Sequence, residues 1–293
     1  MRASVAIVTY NRASSCELVL RKIGEQDTLP SEIIVVDDHS DQAFRTTTVF
    51  PRHIPFRVIR TNTELGLSAC RNLCIRLTGE ELIVFIDDDA LPLDNWLSEI
   101  IGRFEHDDVE VLGGLCLPAY DRSPPSWWDP NILGEYLTVD NRSIVGCNLA
   151  VRRAVFDRIG GFNESLGRYG KKQLSNEETD FLLRAHDLGI KLAFEPKARV
   201  FHFVPGERMN MNYLLRRAWY QGVSTYLMVR RRLGWILEER RMRARFAKEP
   251  QVRWSLNPSA WLIYVLLHLV SLLGFLYTSV SARALLREKR KNS

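Results

Sequence analysis

Cysteine is scarce and unpaired in this sequence. The five present (Cys16, Cys70, Cys74, Cys116 and Cys147) are odd in number and make no CxxC spacing, which argues against a disulfide framework and for buried thiols in a reducing compartment. No long apolar run precedes residue 261, and the opening MRASVAIVTYNR holds too short a one for a signal peptide. Acid is the third shortage. Residues 207–293 carry 17 Lys+Arg against 5 Asp+Glu, net +12, whereas residues 1–206 carry 23 against 30, net −7. The overall charge of +5 therefore averages two parts suited to different partners. Hydrophobic residues make up 46% of the chain, ample for a core, which excludes a disordered or collagen-like protein.

What is present is organised around residues 82–94, LIVFIDDDALPLD. Five apolar residues run into Asp87, Asp88 and Asp89 before Pro92 breaks the run. Such a run reads as a strand buried on both faces, its polar end emerging at the carboxyl edge where α/β proteins bind ligands. Adjacent carboxylates raise one another's pKa unless a cation shares the site, and a divalent metal is the candidate. Asp87 and Asp89 face one way in an extended segment, leaving Asp88 as the acid expected to tolerate substitution best. Oxygen ligands of this kind select Mg2+ or Mn2+, ions that bridge phosphates, so a nucleotide diphosphate is the expected ligand.

Residues 5–8 predict a first strand ending in Thr9, Tyr10 and Asn11, and residues 32–36 a second ending in Asp37 and Asp38, with helical spacing of Leu18, Val19 and Ile23 between them. Strand, helix, strand is a βαβ unit in prospect. A third strand over 56–59 and a helix opened by Gly66, carrying Arg71 and Asn72, lead to the strand before Asp87. Asp94 is expected to cap a helix through Phe104. Residues 109–112 predict a strand closed by Gly113 and Gly114, and residues 118–136, rich in Pro and Trp, a long irregular loop that packs on a sugar ring or on the protein itself. A strand over 143–151, a short helix over 152–159 and a helix over 176–189 ended by Gly189 follow. Short strands at 192–194 and 199–204, the second with His202, complete an α/β body of residues 1–206.

Beyond it, helical periodicity over 210–237 and a basic segment fill residues 207–258. The uncharged run WLIYVLLHLVSLLGFLYTSV predicts a membrane-associated or transmembrane helix over 259–281, since 20 residues of helix span roughly 30 Å. A basic tail occupies 282–293. Spanning helix, in-plane anchor and buried helical hairpin all fit this run. Basic residues flank both its ends, so their distribution sets no orientation. Basic and apolar segments interleaved in this way point to lipid headgroups and a membrane, with no nucleic acid among the expected partners.

Six segments carry a resemblance. They are TYNR at 9–12, VVDDHS at 35–40, NTELGLSACRN at 62–72, FIDDDALP at 85–92, GCNLAVRRAVFDRIGGFNESLG at 146–167 and NEETDFLLRAHDLG at 176–189. In order and spacing they resemble a family 2 glycosyltransferase over nearly all of residues 3–206. The resemblance implies an α/β GT-A nucleotide-diphospho-sugar transferase fold, a mostly parallel Rossmann-like sheet, and inversion at the anomeric carbon. It places Thr9, Tyr10, Asn11 and Asp38 on the nucleoside side, with Asp38 accepting from the base, and Arg71 near the nucleotide. Asp87 and Asp89 would be the DxD pair, Asp89 the direct metal ligand, and His202 a neighbour of metal and diphosphate. Glu177, Glu178 and Asp180 resemble the acidic segment at the acceptor face, with Glu178 standing where the family has Asp, so either Glu177 or Glu178 is the base. A preference for acids in a helix's first turn would put the same residues there. QVRW at 251–254 is one residue short of the QxxRW of processive synthases.

The expected activity is metal-dependent (Mg2+ or Mn2+), inverting transfer of a sugar from a nucleotide-diphospho-sugar donor to the hydroxyl of a glycan or lipid-linked acceptor. Polysaccharide, glycolipid or other glycan biosynthesis is its expected setting, in a membrane-associated enzyme with its catalytic domain in the cytoplasm. The alternative is a sugar-nucleotide-binding or assembly protein of the same fold without turnover, which the retained carboxylates argue against. A nucleotidyltransferase fits poorly, because VTYNRASS is not a Gly-rich phosphate loop ending in Arg and Lys.

Overall fold

A computed structural model describes residues 1–137, 143–230 and 257–291. The apolar runs form strands β1 (Ala3–Thr9), β2 (Glu32–Asp37), β3 (Phe56–Arg60) and β4 (Leu82–Ile86), which lie parallel in the spatial order β3-β2-β1-β4. Helices α1 (Ala13–Gly24) and α2 (Leu67–Leu77) make the crossovers into β2 and β4. Strand side chains alternate between two cores, as the period of two requires. Leu82, Val84 and Ile86 join Val19, Ile23 and Trp96 on one face, while Ile83 and Phe85 join Cys74, Phe156 and Phe181 on the other. Every residue of β4 is therefore buried.

The remaining sheet is mixed. Its order is completed by β7 (Asn148–Arg152), β6 (Val111–Tyr120), β8 (Leu192–Val204) and β5 (Ala90–Pro92), with β7 antiparallel to both β4 and β6, and β5 antiparallel to β8. Helices α3 (Trp96–His106), α5 (Arg153–Ile159) and α6 (Glu177–Asp187) cover its faces.

Several boundaries depart from expectation. Asp94 does not cap α3; the helix starts after Asn95, which sits in the left-handed region at φ 62°. Gly113 and Gly114 do not end β6 but lie inside it. A Cβ on Gly113 would come 2.7 Å from the Ile144 side chain, and one on Gly114 2.3 Å from the Ala198 carbonyl. Glycine here permits close approach rather than a stop. The strand expected over 143–151 begins only at Asn148, and the two short strands after residue 192 are one strand whose register shifts opposite Gly114 and Leu115. The 118–136 segment is largely ordered structure: β6 reaches Tyr120, and α4 (Pro130–Leu133), capped by Asp129, runs into a 3-10 turn over Gly134–Leu137. Trp128 is buried there with Leu214, Ala218 and Leu267, and donates to the Tyr120 hydroxyl at 2.9 Å. Packing on the protein is the role its ring takes.

Two helices follow the body. Asn210 caps α7 (Met211–Val229) by accepting from the Tyr213 N–H, and α8 (Pro258–Lys291) packs along it. The crossing depends on two glycines. A Cβ on Gly222 would fall 1.8 Å from the Ser271 carbonyl, and one on Gly274 2.4 Å from the Trp219 carbonyl. Gly222→Val is expected to destabilise the protein by about 3 kcal/mol, at the upper end for an overpacked contact, because rigid backbone cannot yield; thermal denaturation checks this. The other side of α8 is bare: Leu262, Leu269, Leu273 and Val280 are each more than half exposed, on a 25-residue stretch long and apolar enough to cross a membrane. The basic segment at 238–254, with QVRW, lies outside the described residues.

Candidate active site

Because β1, β2 and β4 are parallel and in register, Thr9 beside Asp37, the residues after each strand emerge at one edge. Left-handed turns at Asn11 and His39 follow the first two strands. They interlock: the Asn11 N–H donates to Ser40 Oγ at 2.8 Å, and Asn11 Oδ1 accepts from the Asp41 N–H at 2.7 Å. Burial works against the Asp37 charge, yet hydrogen bonds from Ser40, the Phe44 N–H and Arg60 hold its carboxyl below the usual range. Asp37 is thus a brace for the turn. Asp38 accepts from the backbone N–H groups of Leu65 and Gly66 at 2.7 and 2.8 Å, tying the entry of α2 to the same edge.

A cleft of about 240 Å3 opens here. Of the expected site residues, Tyr10, Asp38, Arg71, Asp87, Asp89, Glu177, Glu178 and His202 line it. The antiparallel pairing of Ala90 with His202 carries the histidine to the acids, and the Asp89 carbonyl accepts from the Phe203 N–H. Arg71 is buried across the middle, donating to Asp87 Oδ1 at 2.7 Å and to Glu177 Oε1 at 2.9 Å. It fixes one end of the cleft relative to the other.

Three expectations need correction. Thr9 and Asn11 do not line the cleft; Thr9 is buried and donates to Asp88 Oδ2 at 2.8 Å, while Asn11 is spent on the turn. Asp180 is also outside it. Its carboxylate accepts from Arg184 Nε at 2.8 Å, one helical turn on, and Arg184 in turn holds the Ile159 and Gly161 carbonyls, so Asp180 packs α6 onto the body. Asp88 is no spare acid. It is buried, bonded by Thr9 and by Arg12 Nη1 at 3.0 Å, and burial together with the adjacent Asp89 pushes its pKa up to about 6 against the pull of Arg12.

Asp89 is the most heavily engaged of the acids. One oxygen accepts from Arg12 at 2.7 Å and Arg208 at 3.1 Å, and the other lies 3.3 Å from His202 Nε2. Burial opposes its charge, but His202, Arg12 and Arg208 together hold its carboxyl well below the ordinary value. The donor set nearby fits a divalent cation: among the described residues, ligand atoms of Asp87, Cys147 and His202 all lie within 4.8 Å of one another, and His202 Nδ1 is buried with no hydrogen-bond partner. The carboxylate suits Mg2+ or Mn2+, while the imidazole and the thiol extend the range to borderline and softer ions. All five cysteines are free and buried, as expected; Cys147 sits 3.3 Å from Cys116, sulfur to sulfur.

The site also contains residues that the sequence reading left unassigned. Arg12 stood within the TYNR segment but received no role. Arg168, in the loop before Tyr169, and Arg217, on α7, line the cleft as well. Arg208 and Arg217 lie beyond residue 206, so the boundary drawn there passes through the site. Their only sequence signal was basic charge.

The family model described as Glycosyl transferase family 2 matches residues 4–163. A glucosyl-dolichyl phosphate glucuronosyltransferase of Haloferax volcanii is 26% identical over 243 residues, covering 78% of this chain and 77% of that protein. The succinoglycan biosynthesis protein ExoM of Rhizobium meliloti is 24% identical over 231 residues, covering 76% and 73%. Among solved structures, the mannosyltransferase PcManGT from Pyrobaculum calidifontis, in complex with GDP-Man and Mn2+, superposes with a TM-score of 0.60 at 19% identity, covering 99% of this chain and 82% of that one. S. aureus TarS 1-349 in complex with UDP-GlcNAc gives 0.55 at 19% identity, covering 84% and 72%.

Proposed function

The chain belongs to glycosyl transferase family 2, and we propose that it moves a sugar from a nucleotide-diphospho-sugar to an acceptor hydroxyl by a metal-dependent, inverting displacement. One observation carries this reading: Asp38, Arg71, Asp87, His202 and Glu178 reach a single cleft from separate elements of the sheet edge and α6. Tyr10 and Asp38 form its donor end, where the Asp38 oxygens keep lone pairs beyond those given to the backbone and can accept from a base. Glu178 takes the proton of the acceptor hydroxyl as its oxygen bonds to the anomeric carbon and the bond to the nucleotide diphosphate breaks. One displacement inverts the centre. Arg71 keeps Asp87 and Glu177 in fixed relation, so donor and acceptor ends hold their spacing. A divalent metal held by Asp87, Asp89 and His202, with Cys147 in reach, would neutralise charge on the departing diphosphate.

The complexes of PcManGT with GDP-Man and Mn2+ and of TarS with UDP-GlcNAc support such a donor. A thermal-shift screen of UDP, GDP, dTDP and CDP sugars with and without Mn2+ tests it, since a bound ligand stabilises with the logarithm of its concentration over Kd. One nucleotide should raise Tm in Mn2+ and lose most of that effect in EDTA; no response to any of them would sink the donor reading.

The same proposal includes attachment to a membrane, with the catalytic domain on the cytoplasmic side. An in-plane anchor is favoured over a spanning helix, because α8 packs along α7, and a spanning orientation would draw Arg216, Arg217 and Arg230 toward hydrocarbon. The exposed face of α8 would enter the leaflet while the basic residues after 206 meet anionic headgroups. The protein should float with anionic liposomes, and Leu269→Glu with Leu273→Glu should leave most of it unbound. Equal flotation of that variant would contradict the assignment, and release by high salt alone would exclude a spanning helix.

A further inference from the structure

The α7 end of the cleft holds positive charge, that of Arg168 and Arg217, which the proposed donor chemistry does not use. Arg217 is 7% exposed. Its Nη1 donates to the Gln173 carbonyl at 3.3 Å, to Ser175 Oγ at 3.0 Å and to Gln221 Oε1 at 3.3 Å, all neutral oxygens. Its Nε is buried with no hydrogen-bond partner among the described residues. Arg168 lines the same cleft, and no described residue accepts a hydrogen bond from its guanidinium. Arg208, also buried, shares Asp89 with Arg12. Burial first, and the charge of Arg168 next, disfavour the charged form of Arg217. A buried guanidinium without a carboxylate is costly until an anion completes it.

We propose that Arg168, Arg208 and Arg217 form a subsite for a phosphate group carried by the acceptor, an amphiphile whose head enters the cleft and whose chain runs into the leaflet beside α8. This rests on reading the cleft as a transferase site. Two features assign the subsite to the acceptor rather than the donor. Glu177 and Glu178, at the acceptor end, are close enough to act on the charge of Arg217. Arg217 and Gly222 share α7, five residues or roughly 7.5 Å apart, and Gly222 is where α8 crosses with its opposite side apolar and bare. An anionic head at Arg217 therefore has a lipid-facing surface within one molecular length. Guanidinium pairs read phosphate oxygens by direct, charge-assisted hydrogen bonds, which makes the head group the selective part.

The test uses the full chain in detergent with Mn2+, saturated with whichever nucleoside diphosphate gives the largest thermal shift, and titrated with farnesyl phosphate, farnesol and inorganic phosphate. Farnesyl phosphate should bind, with farnesol and inorganic phosphate each weaker by about tenfold or more, and Arg217→Gln should weaken farnesyl phosphate by about tenfold while the nucleotide-dependent shift persists. Arg168→Gln, which breaks no side-chain hydrogen bond among the described residues, should do the same and guards against misfolding of the Arg217 variant. Displacement of the nucleoside diphosphate by farnesyl phosphate would assign the cluster to the donor and overturn the proposal. Equal affinity for inorganic phosphate would make it a free-anion site, and wild-type affinity in both variants would leave it no role; either result also overturns it. If no nucleoside diphosphate binds, the donor reading fails by itself, and the same titrations on nucleotide-free protein decide the subsite.

Discussion

Asp89→Asn is expected to cut sugar transfer by about a hundredfold or more, the scale on which losing one group that stabilises developing transition-state charge is felt. The substitution keeps the shape of the side chain and removes its charge, which distinguishes the electrostatic role from packing. In the folded protein that charge faces Arg12, Arg208 and His202. Asp89 would have to give up Arg12 or Arg208 to hold a metal, so metal-dependent donor binding would be coupled to the release of these arginines from the carboxylate. The variant should lose the Mn2+-dependent part of the nucleotide thermal shift as well as turnover. Removing the anion also leaves buried cations short of a partner, so some fall in Tm is expected, and circular dichroism separates this from unfolding. Full activity in EDTA together with an active Asp89→Asn would refute metal dependence.

The centre of this site was legible because two independent patterns met in it. An apolar run as short as Leu82–Ile86 needs both faces covered, and three acids directly after it need a cation or donors; β4 with its edge satisfies both demands. The glycines at 113 and 114 were misread for the opposite reason. A glycine pair punctuates most sequences, and only the approach of Ile144 and Ala198, distant in the chain, turns it into a packing requirement. Asp180 could have been set aside from sequence: Arg184, four residues later, is its natural helical partner. Asp88 could not, because its burial depends on Thr9 at the end of β1 and Arg12 in the turn that follows.

Charge was harder to place than hydrophobicity. The basic excess after residue 206 reads as one feature in composition, yet the structure divides it. Arg208 turns inward to Asp89 and Arg217 to the cleft, while Arg216 and Arg230 remain exposed. Composition cannot make that division, since the inward residues are selected by the Asn210 cap and by the α7 face that meets Ser175 and Asn176. A boundary drawn at a change of charge thus separates Arg208 and Arg217 from the candidate site residues they meet.

The proposed choice of Glu178 as base rests on what Glu177 already does. Glu177 holds Arg71, and through it Asp87, so its carboxylate is part of the frame that joins the two ends of the cleft. Glu178 lines the cleft between the charges of Arg71 and Arg217. Glu178→Gln is therefore expected to lower kcat by about a hundredfold to ten-thousandfold, the usual contribution of a positioned base, with nucleotide binding kept. Glu178→Asp should recover part of the rate, since it restores the carboxylate with one methylene less reach. Glu177→Gln should act differently, raising the KM for donor and lowering Tm, because freeing one arm of a buried arginine loosens Asp87. Steady-state kinetics on the three variants, with binding measured separately, decides between them. If Glu177→Gln is the variant that loses kcat while Glu178→Gln turns over normally, the roles are exchanged, and Arg71 would have to leave Glu177 before the acceptor could be deprotonated.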